Sequence, residues 1–375
     1  MTTTLLDKAR QIAKPLQERA AEIEKLRTLP PDLVEDLRAA GLFGLMTPRH
    51  LGGAEAEPRR IVEVIEELSR ADASTGWVAM VGQGAGFLAW MPSSTAARVV
   101  DARPDPIIVS SLAPTGAAVP CEGGLSLTGR WPYASGCRIA DMMFGGFLAG
   151  PPNGGPPPLR LALLPLSGIH VHDTWHVSGL RGSGSHDVEA AGIEVPGDHV
   201  IDPFGPAVAE GALYRLPYMS YLLVAIAGFP LGVARRIVDE YMEVALAKRT
   251  AERRLMAETP LVQGDIARCD AAVRAARAGV FAALDDLWAE ANAGAVTVRS
   301  RARFTGSVQH ALNTALTVAD TAFRACGASQ LYDKAPLQRL FRDVQAAAQH
   351  IAFGQDSQRR VGAALLGRDV VLPFL

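Results

Sequence analysis

The chain has 375 residues, more than one ordinary core of roughly 100–200 residues holds, so two or three packed units are expected. Its residues are 49% hydrophobic and 20% charged, with 36 Gly and 25 Pro, which excludes a disordered chain. Thirty-seven Lys and Arg against 39 Asp and Glu leave a net charge of -2, and no basic cluster interleaves with aromatics, which excludes nucleic acid as a partner.

From the N-terminus the pattern is helical: Leu5, Ile12, Leu16, Ile23 and Leu26 recur at intervals of three, four and seven, the stripe of an amphipathic helix. Pro30 and Pro31 open a short helix that stops at Gly41, and Pro58 opens another carrying Ile61, Val62, Ile65 and Leu68. Ser74 to Met91 is apolar nearly all round, which predicts burial. After Pro104 the texture becomes β-type, with short runs such as IIVSSLAP (107–114), MMFGGFLAG (142–150) and HDVEAAGIEVP (186–196) broken by Gly, Pro and Asn. Six or seven strands in about 90 residues predict a small barrel or sandwich, with GPPNGGPPP (150–158) as a loop between two of them. Long helical segments follow over about 210–249, 260–292, 297–326 and 336–366, which predict an antiparallel four-helix bundle. The expected units are 1–103 (α-helical), 104–204 (β) and 205–375 (helical bundle). Tyr221 to Ala234, the longest uncharged apolar stretch, falls short of the roughly 20 residues that span a bilayer and reads as a buried helix, so no membrane partner is expected. Cys121, Cys137, Cys269 and Cys326 are scattered and the first residues carry charge where a signal peptide needs an apolar run, so the expected setting is cytoplasmic.

The glycine groups at 82–86 and 179–184 sit outside any strand–turn–helix unit, so they are read as a thinned helix face and a turn, not as a dinucleotide loop. His170 and His172 alternate on one strand face with His176 and His186 nearby, but a third ligand at convincing metal spacing is missing, and no metal is expected. Trp131 and Ser135 in WPYASG offer a flat apolar wall and a hydroxyl suited to a planar heterocycle, and the same spacing suits a core Trp with a turn serine. His350 lies in AAAQHIAF, where a lone histidine also reads as a core or helix-end group. Arg342 and Asp343 just before it suit an ion pair or docking onto another subunit.

Four segments, LPPDLVEDLRAAGLFGLMTPRHLGG (29–53), LTGRWPYASGCRIADMMFGGFLA (127–149), GLRGSGSHDVEAAGIEVP (179–196) and APLQRLFRDVQAAAQHIAFGQDSQRRVGAALLG (335–367), resemble the acyl-CoA dehydrogenase fold superfamily in order and spacing over nearly the whole chain. WPYASG and GLRGSGSHDV resemble more narrowly its two-component flavin-dependent monooxygenases. The resemblance implies an α+β multidomain fold: an N-terminal α-helical domain, a middle β-barrel or sandwich and a C-terminal four-helix bundle, assembled as a homotetramer. It implies reduced flavin (FADH2 or FMNH2) from a separate NAD(P)H flavin reductase, O2 as co-substrate, and oxygenation of a small aromatic or heteroaromatic substrate through a flavin C4a-hydroperoxide.

By position, Trp131 and Ser135 match residues that flank the flavin ring, Ser110 or Ser111 a second polar position, and Arg249 an arginine on the flavin phosphates, although the usual aromatic-glycine pair after it is missing. His350 matches a pocket histidine that, with Ser135, holds the peroxide, while Phe87, Trp90, Tyr221 and Phe353 wall the pocket. Acyl-CoA dehydrogenases instead need a carboxylate base, and neither of its usual places, near Phe353-Gly354 and near Tyr221, holds one. That ranks the dehydrogenase second and a non-catalytic scaffold third. Phenol hydroxylases often add a histidine where this chain reads Gln83-Gly84, which shifts the expected substrate toward an indole-like ring or a sulfur or nitrogen heteroatom.

Overall fold

The computed structural model describes residues 3–150, 157–370 and 375, so most of the 150–158 loop lies outside the described residues. Six helices come first: α1 (Leu5–Glu18), α2 (Ala20–Leu26), α3 (Pro31–Ala39), α4 (Pro58–Ala71), α5 (Ala73–Val81) and α6 (Ser93–Ala102). Thr4 caps α1 in a capping box with Asp7, and Asp72 caps α5 by accepting from Thr75 N at 2.7 Å. The stripe from Leu5 to Leu26 is not one helix: the chain breaks at Arg19, burying Leu16 and Ile23 but leaving Leu26 exposed. The apolar stretch after Ala73 is buried, as α5 and a 3-10 segment, Gly84–Trp90.

Seven strands follow: β1 (Ile108–Cys121), β2 (Gly124–Ala134), β3 (Met142–Leu148), β4 (Leu159–Pro165), β5 (His170–His172), β6 (His186–Pro196) and β7 (Val200–Ile201). They form one mixed sheet in the order β5-β6-β2-β1-β3-β4-β7. The long β1 bends it, because its start pairs parallel with β3 and its end pairs antiparallel with β2, with a register shift between Ser111 and Gly116.

The rest is helical: α7 (Tyr218–Ile226), α8 (Gly228–Ala247), α9 (Pro260–Ala293), α10 (Val298–Cys326), α11 (Pro336–Ala347) and α12 (Gln355–Leu365). The first of these begins after Pro217, not near 210. α7 and α8 run on as a 30-residue rod, long enough to span a bilayer, but 83% of its most apolar window is buried inside the fold. The expected helix over 336–366 is interrupted at His350, whose backbone is extended (φ -68°, ψ 140°) and whose ring accepts from Ala352 N. α8 lies tightly on α4, since a β-carbon on Gly232 would fall 2.1 Å from Glu66 O.

Candidate active site

α5 is buried nearly throughout, packed against α4, α8 and the turn at Arg181–Ser183, and it carries Trp77. Trp77 Nε1 donates to Ser135 Oγ at 3.1 Å. The same indole also meets the His350 ring edge-on at 5.5 Å between centroids, and Phe229 at 5.1 Å. Ser135 and His350, 215 positions apart, therefore flank one side chain. Ser135 reaches this place from a tight turn in which Tyr133 (φ 58°) and Gly136 (φ 73°) are left-handed.

His350 Nδ1 accepts from Ala352 N at 3.3 Å, which assigns the ring proton to Nε2. Burial pulls its pKa from the ordinary 6.5 down to about 4. At neutral pH the ring is an uncharged hydrogen-bond donor.

Behind Ser135 stands the glycine-rich loop before β6. Ser135 Oγ is 2.7 Å from Ser185 Oγ, which is 2.7 Å from Ser183 Oγ. Leu180 takes a left-handed conformation (φ 52°), unfavourable for a γ-branched residue. Four bonds hold it there: its N–H donates to Asp343 Oδ1 at 2.6 Å, and its carbonyl accepts from Ser183 Oγ at 2.7 Å, Trp175 Nε1 at 3.0 Å and Ser183 N at 3.1 Å. Arg342 adds an ion pair with Glu24 at 2.7 Å and a bond to Ser178 O. Arg342 and Asp343 thus clamp this loop from α11, each with partners in its own chain. Burial pushes the Asp343 carboxyl up to about 7, with the neighbouring Asp72 and Glu24 charges adding to the rise.

A second group is aromatic. Phe87 lies 5.8 Å from Trp90 and 5.7 Å from Tyr221, and Trp90 lies 5.1 Å from Tyr221, with Phe144, Tyr214 and Tyr218 around them. The glycines of the 82–86 stretch allow this closeness: a β-carbon on Gly86 would lie 2.0 Å from Tyr221 Oη, and one on Gly84 would lie 2.3 Å from Ile108 O. Tyr221 is 2% exposed and its hydroxyl has no hydrogen-bond partner in the described protein. Burial raises its pKa far above the usual phenol value, so it stays protonated.

Other expected site residues stand apart. Trp131 is wholly buried in the sheet core, its Nε1 donating to Gly146 O at 2.8 Å. β-Carbons on Gly116, Gly129 and Gly145 would come within 2.8 to 3.1 Å of the Trp131 ring, so glycines, not a ligand, shape its slot. Trp131 is corrected to a core residue, and the indole at the site is Trp77. Ser111 Oγ is tied to Pro132 O at 2.9 Å, while Ser110, pointing the other way from β1, lies beside Gly84. Phe353 faces the His350 ring at 6.2 Å, and among the described residues no ring contact joins it to the Phe87 group. Arg249 is exposed and donates to Arg253 O at 2.8 Å. The rod from Tyr221 to Ala247 separates it from the pocket by about 40 Å at ~1.5 Å per residue, so it joins neither group within one chain. Trp77, Ser183, Ser185 and Tyr214 are the residues the sequence reading missed. No group of three or more metal-ligating side chains occurs among the described residues.

The donor set fits a reduced flavin. Ser135 Oγ, already accepting from Trp77, keeps one free lone pair, and His350 offers one neutral N–H. A reduced isoalloxazine edge carries the complementary N5–H donor and C4 carbonyl acceptor. The buried carboxylates, Asp72, Glu240 and Asp343, are each engaged elsewhere, by a cap, an ion pair or the Leu180 amide.

The chain belongs to the acyl-CoA dehydrogenase fold family: residues 2–94 match the acyl-CoA dehydrogenase N-terminal domain and residues 224–355 its C-terminal domain. Within that family it falls among the oxygenase components of flavin-dependent monooxygenases. It is 31% identical to an indole-3-acetate monooxygenase of Pseudomonas putida, covering 95% of this chain and 92% of that one. It is 28% identical to the oxygenase component of an FADH2-dependent resorcinol hydroxylase of a Rhizobium species, covering 97% and 94%. The crystal structure of the 3-HSA hydroxylase of Rhodococcus sp. RHA1 superposes with a TM-score of 0.93 at 26% identity, covering 100% of both chains.

Proposed function

We propose that this chain is the oxygenase of a two-component system that takes reduced flavin from a separate NAD(P)H flavin reductase and uses O2 to oxygenate a small indole-like or other heteroaromatic ring. The observation that carries the reading is the meeting of Ser135 and a neutral His350 on one indole, Trp77, with burial and no charged neighbour setting the His350 pKa among the described residues. Reduced flavin supplies the two electrons that let one oxygen atom of O2 enter the substrate while the other leaves as water. Ser135 orients the polar edge of the ring system, and His350 Nε2–H donates to the oxygen end of the reacting group without carrying charge. The Phe87, Trp90 and Tyr221 wall excludes water, and the unpaired Tyr221 hydroxyl is the polar anchor for a ring N–H or heteroatom.

Assembly as a homotetramer through the bundle is part of the same proposal. It is supported by a groove of about 420 Å3 across α9, α10 and α12, lined by small residues such as Ala276, Gly279, Ala283 and Gly306 beside exposed Leu365. The four free cysteines suit a reducing, cytoplasmic setting.

The test supplies the purified chain with a flavin reductase, NADH, FAD and 18O2 over a panel of indoles, thiophenes and phenols. Label is expected in indole or thiophene products; turnover of phenols alone refutes the substrate class, and bleaching of oxidised flavin by an acyl-CoA refutes the oxygenase. His350→Ala removes a preorganised donor, for which losses of about 10²–10³ in rate are typical, and peroxide release should replace product.

A further inference from the structure

Four bonds run in series through the protein behind the site. Trp77 Nε1 lies 3.1 Å from Ser135 Oγ, Ser135 Oγ 2.7 Å from Ser185 Oγ, Ser185 Oγ 2.7 Å from Ser183 Oγ, and Ser183 Oγ 2.7 Å from Leu180 O. All three serines are at most 5% exposed, so water does not compete for these positions. The ends fix the direction of every hydrogen. An indole N–H only donates and a carbonyl only accepts. Ser183 gives its proton to Leu180 O and so accepts from Ser185; Ser185 then accepts from Ser135, which accepts from Trp77. The single proton of Ser135 is committed inward, and what faces away from the relay is a lone pair.

We propose that Ser185, backed by Ser183, is a positioning residue that makes Ser135 an acceptor-only group toward the flavin, so that the site selects reduced over oxidised flavin. Reduction changes N5 of the ring from an acceptor to an N–H donor, and an acceptor-only serine matches only the second. Turning the relay round so that Ser135 donates outward would cost the Ser183 bond to Leu180 O, a carbonyl that keeps its bond from Trp175 Nε1 in either case. One net hydrogen bond corresponds to a factor of roughly three to ten. The inference rests on the flavin-monooxygenase reading.

The test is anaerobic titration of the full chain with oxidised FAD and with dithionite-reduced FAD. In Ser185→Ala the Ser135 proton is released to point outward, so oxidised FAD gains affinity. The ratio of oxidised to reduced dissociation constants should fall roughly three- to tenfold, the size of one net bond. For a two-electron couple that is a bound-flavin potential about 15–30 mV more negative. Ser183→Ala should act in the same direction and serves if Ser185→Ala does not fold. Ser185→Thr keeps the hydroxyl and should keep the wild-type ratio. Both constants shifting in parallel, or not at all, in the alanine variants would mean a merely structural role and overturns the proposal alone. A wild-type chain that binds neither form of FAD overturns the oxygenase reading with it.

Discussion

Trp131 offers a sharp separation between a core role and a ligand role, because its neighbours are known on every side. Trp131→Phe keeps an aromatic ring in the slot between Gly116, Gly129 and Gly145 but removes the N–H that reaches Gly146 O at 2.8 Å. Loss of that bond with the carbonyl left buried costs about 1–3 kcal/mol. The smaller ring leaves roughly 40 Å3 unfilled, which at about 24 cal/mol per Å3 adds about 1 kcal/mol. The sum, about 2–4 kcal/mol, should lower the melting temperature by about 2.5–5 °C in a thermal scan, at about 2.1 cal/mol/K of unfolding entropy per residue. Flavin affinity, measured by fluorescence titration at 20 °C or below where the variant is folded, should stay within about threefold, since the slot is closed to ligands and the Ser135 and His350 positions rest on Trp77. An unchanged melting temperature with a flavin affinity weakened tenfold or more would refute the core assignment and restore Trp131 to the flavin site.

Gly86→Ala places a β-carbon 2.0 Å from Tyr221 Oη and 3.0 Å from Met46 O, so overpacking of about 1–3 kcal/mol is expected. Substrate KM should rise with flavin affinity unchanged, and adding Tyr221→Phe should recover part of the stability; no recovery would mean that the clash is relieved elsewhere. The acid side of the stability curve tests the buried titratable groups. His350 and His186 are both held at about 4, so between about pH 6.5 and 4 the unfolded chain binds two protons that the folded chain does not, and stability falls as pH falls. Asp343, pushed to about 7, runs the other way: the folded chain keeps a proton the unfolded chain has lost, and stability falls as pH rises. Asp343→Asn retains an acceptor for the Leu180 amide and removes this opposing contribution, so urea unfolding free energy should climb more steeply with pH, by about 1.4 kcal/mol per pH unit between about pH 4.5 and 6.5. Parallel wild-type and variant curves would rule out a raised Asp343 pKa.

Much of the architecture was legible because period and punctuation report local structure. Pro31 and Pro58 do stand at the first turns of α3 and α4, and the run of glycines at 82–86 marks backbone brought against Ile108 and Tyr221. The pairing of Ser135 with His350 came from position within a resemblance, not from spacing, since nothing local joins residues 215 places apart. Trp77 stayed hidden because α5 is apolar on every face, and a helix without a polar side gives no periodic signal for which residue points at a site. Trp131 could not be settled from sequence either. Its immediate neighbours in the chain are as consistent with a ligand wall as with a core, and the glycines that enclose it come from three different strands. The break at His350 was missed because AAAQ, just before it, is made of good helix formers; the His350 ring's local bond from Ala352 N, two residues on, caps the next turn and ends the helix.

The location of the strained residue explains how the two halves of the site hold together. Leu180 sits in a conformation that costs a non-glycine residue about 1–3 kcal/mol, and it is held there by Asp343 from α11, Trp175 from the β5–β6 connection and Ser183 from its own loop. A glycine at 180 would relieve the strain but would lose the side chain, which is only 3% exposed in the core. The clamp therefore links the bundle to the sheet at the point where the serine relay ends. His350 follows α11, the helix that carries Asp343, and Ser135 hangs on the relay that Leu180 terminates. Both polar partners of the Trp77 indole are thus tied to α11, Ser135 through the relay that ends at Leu180 and His350 through the chain itself.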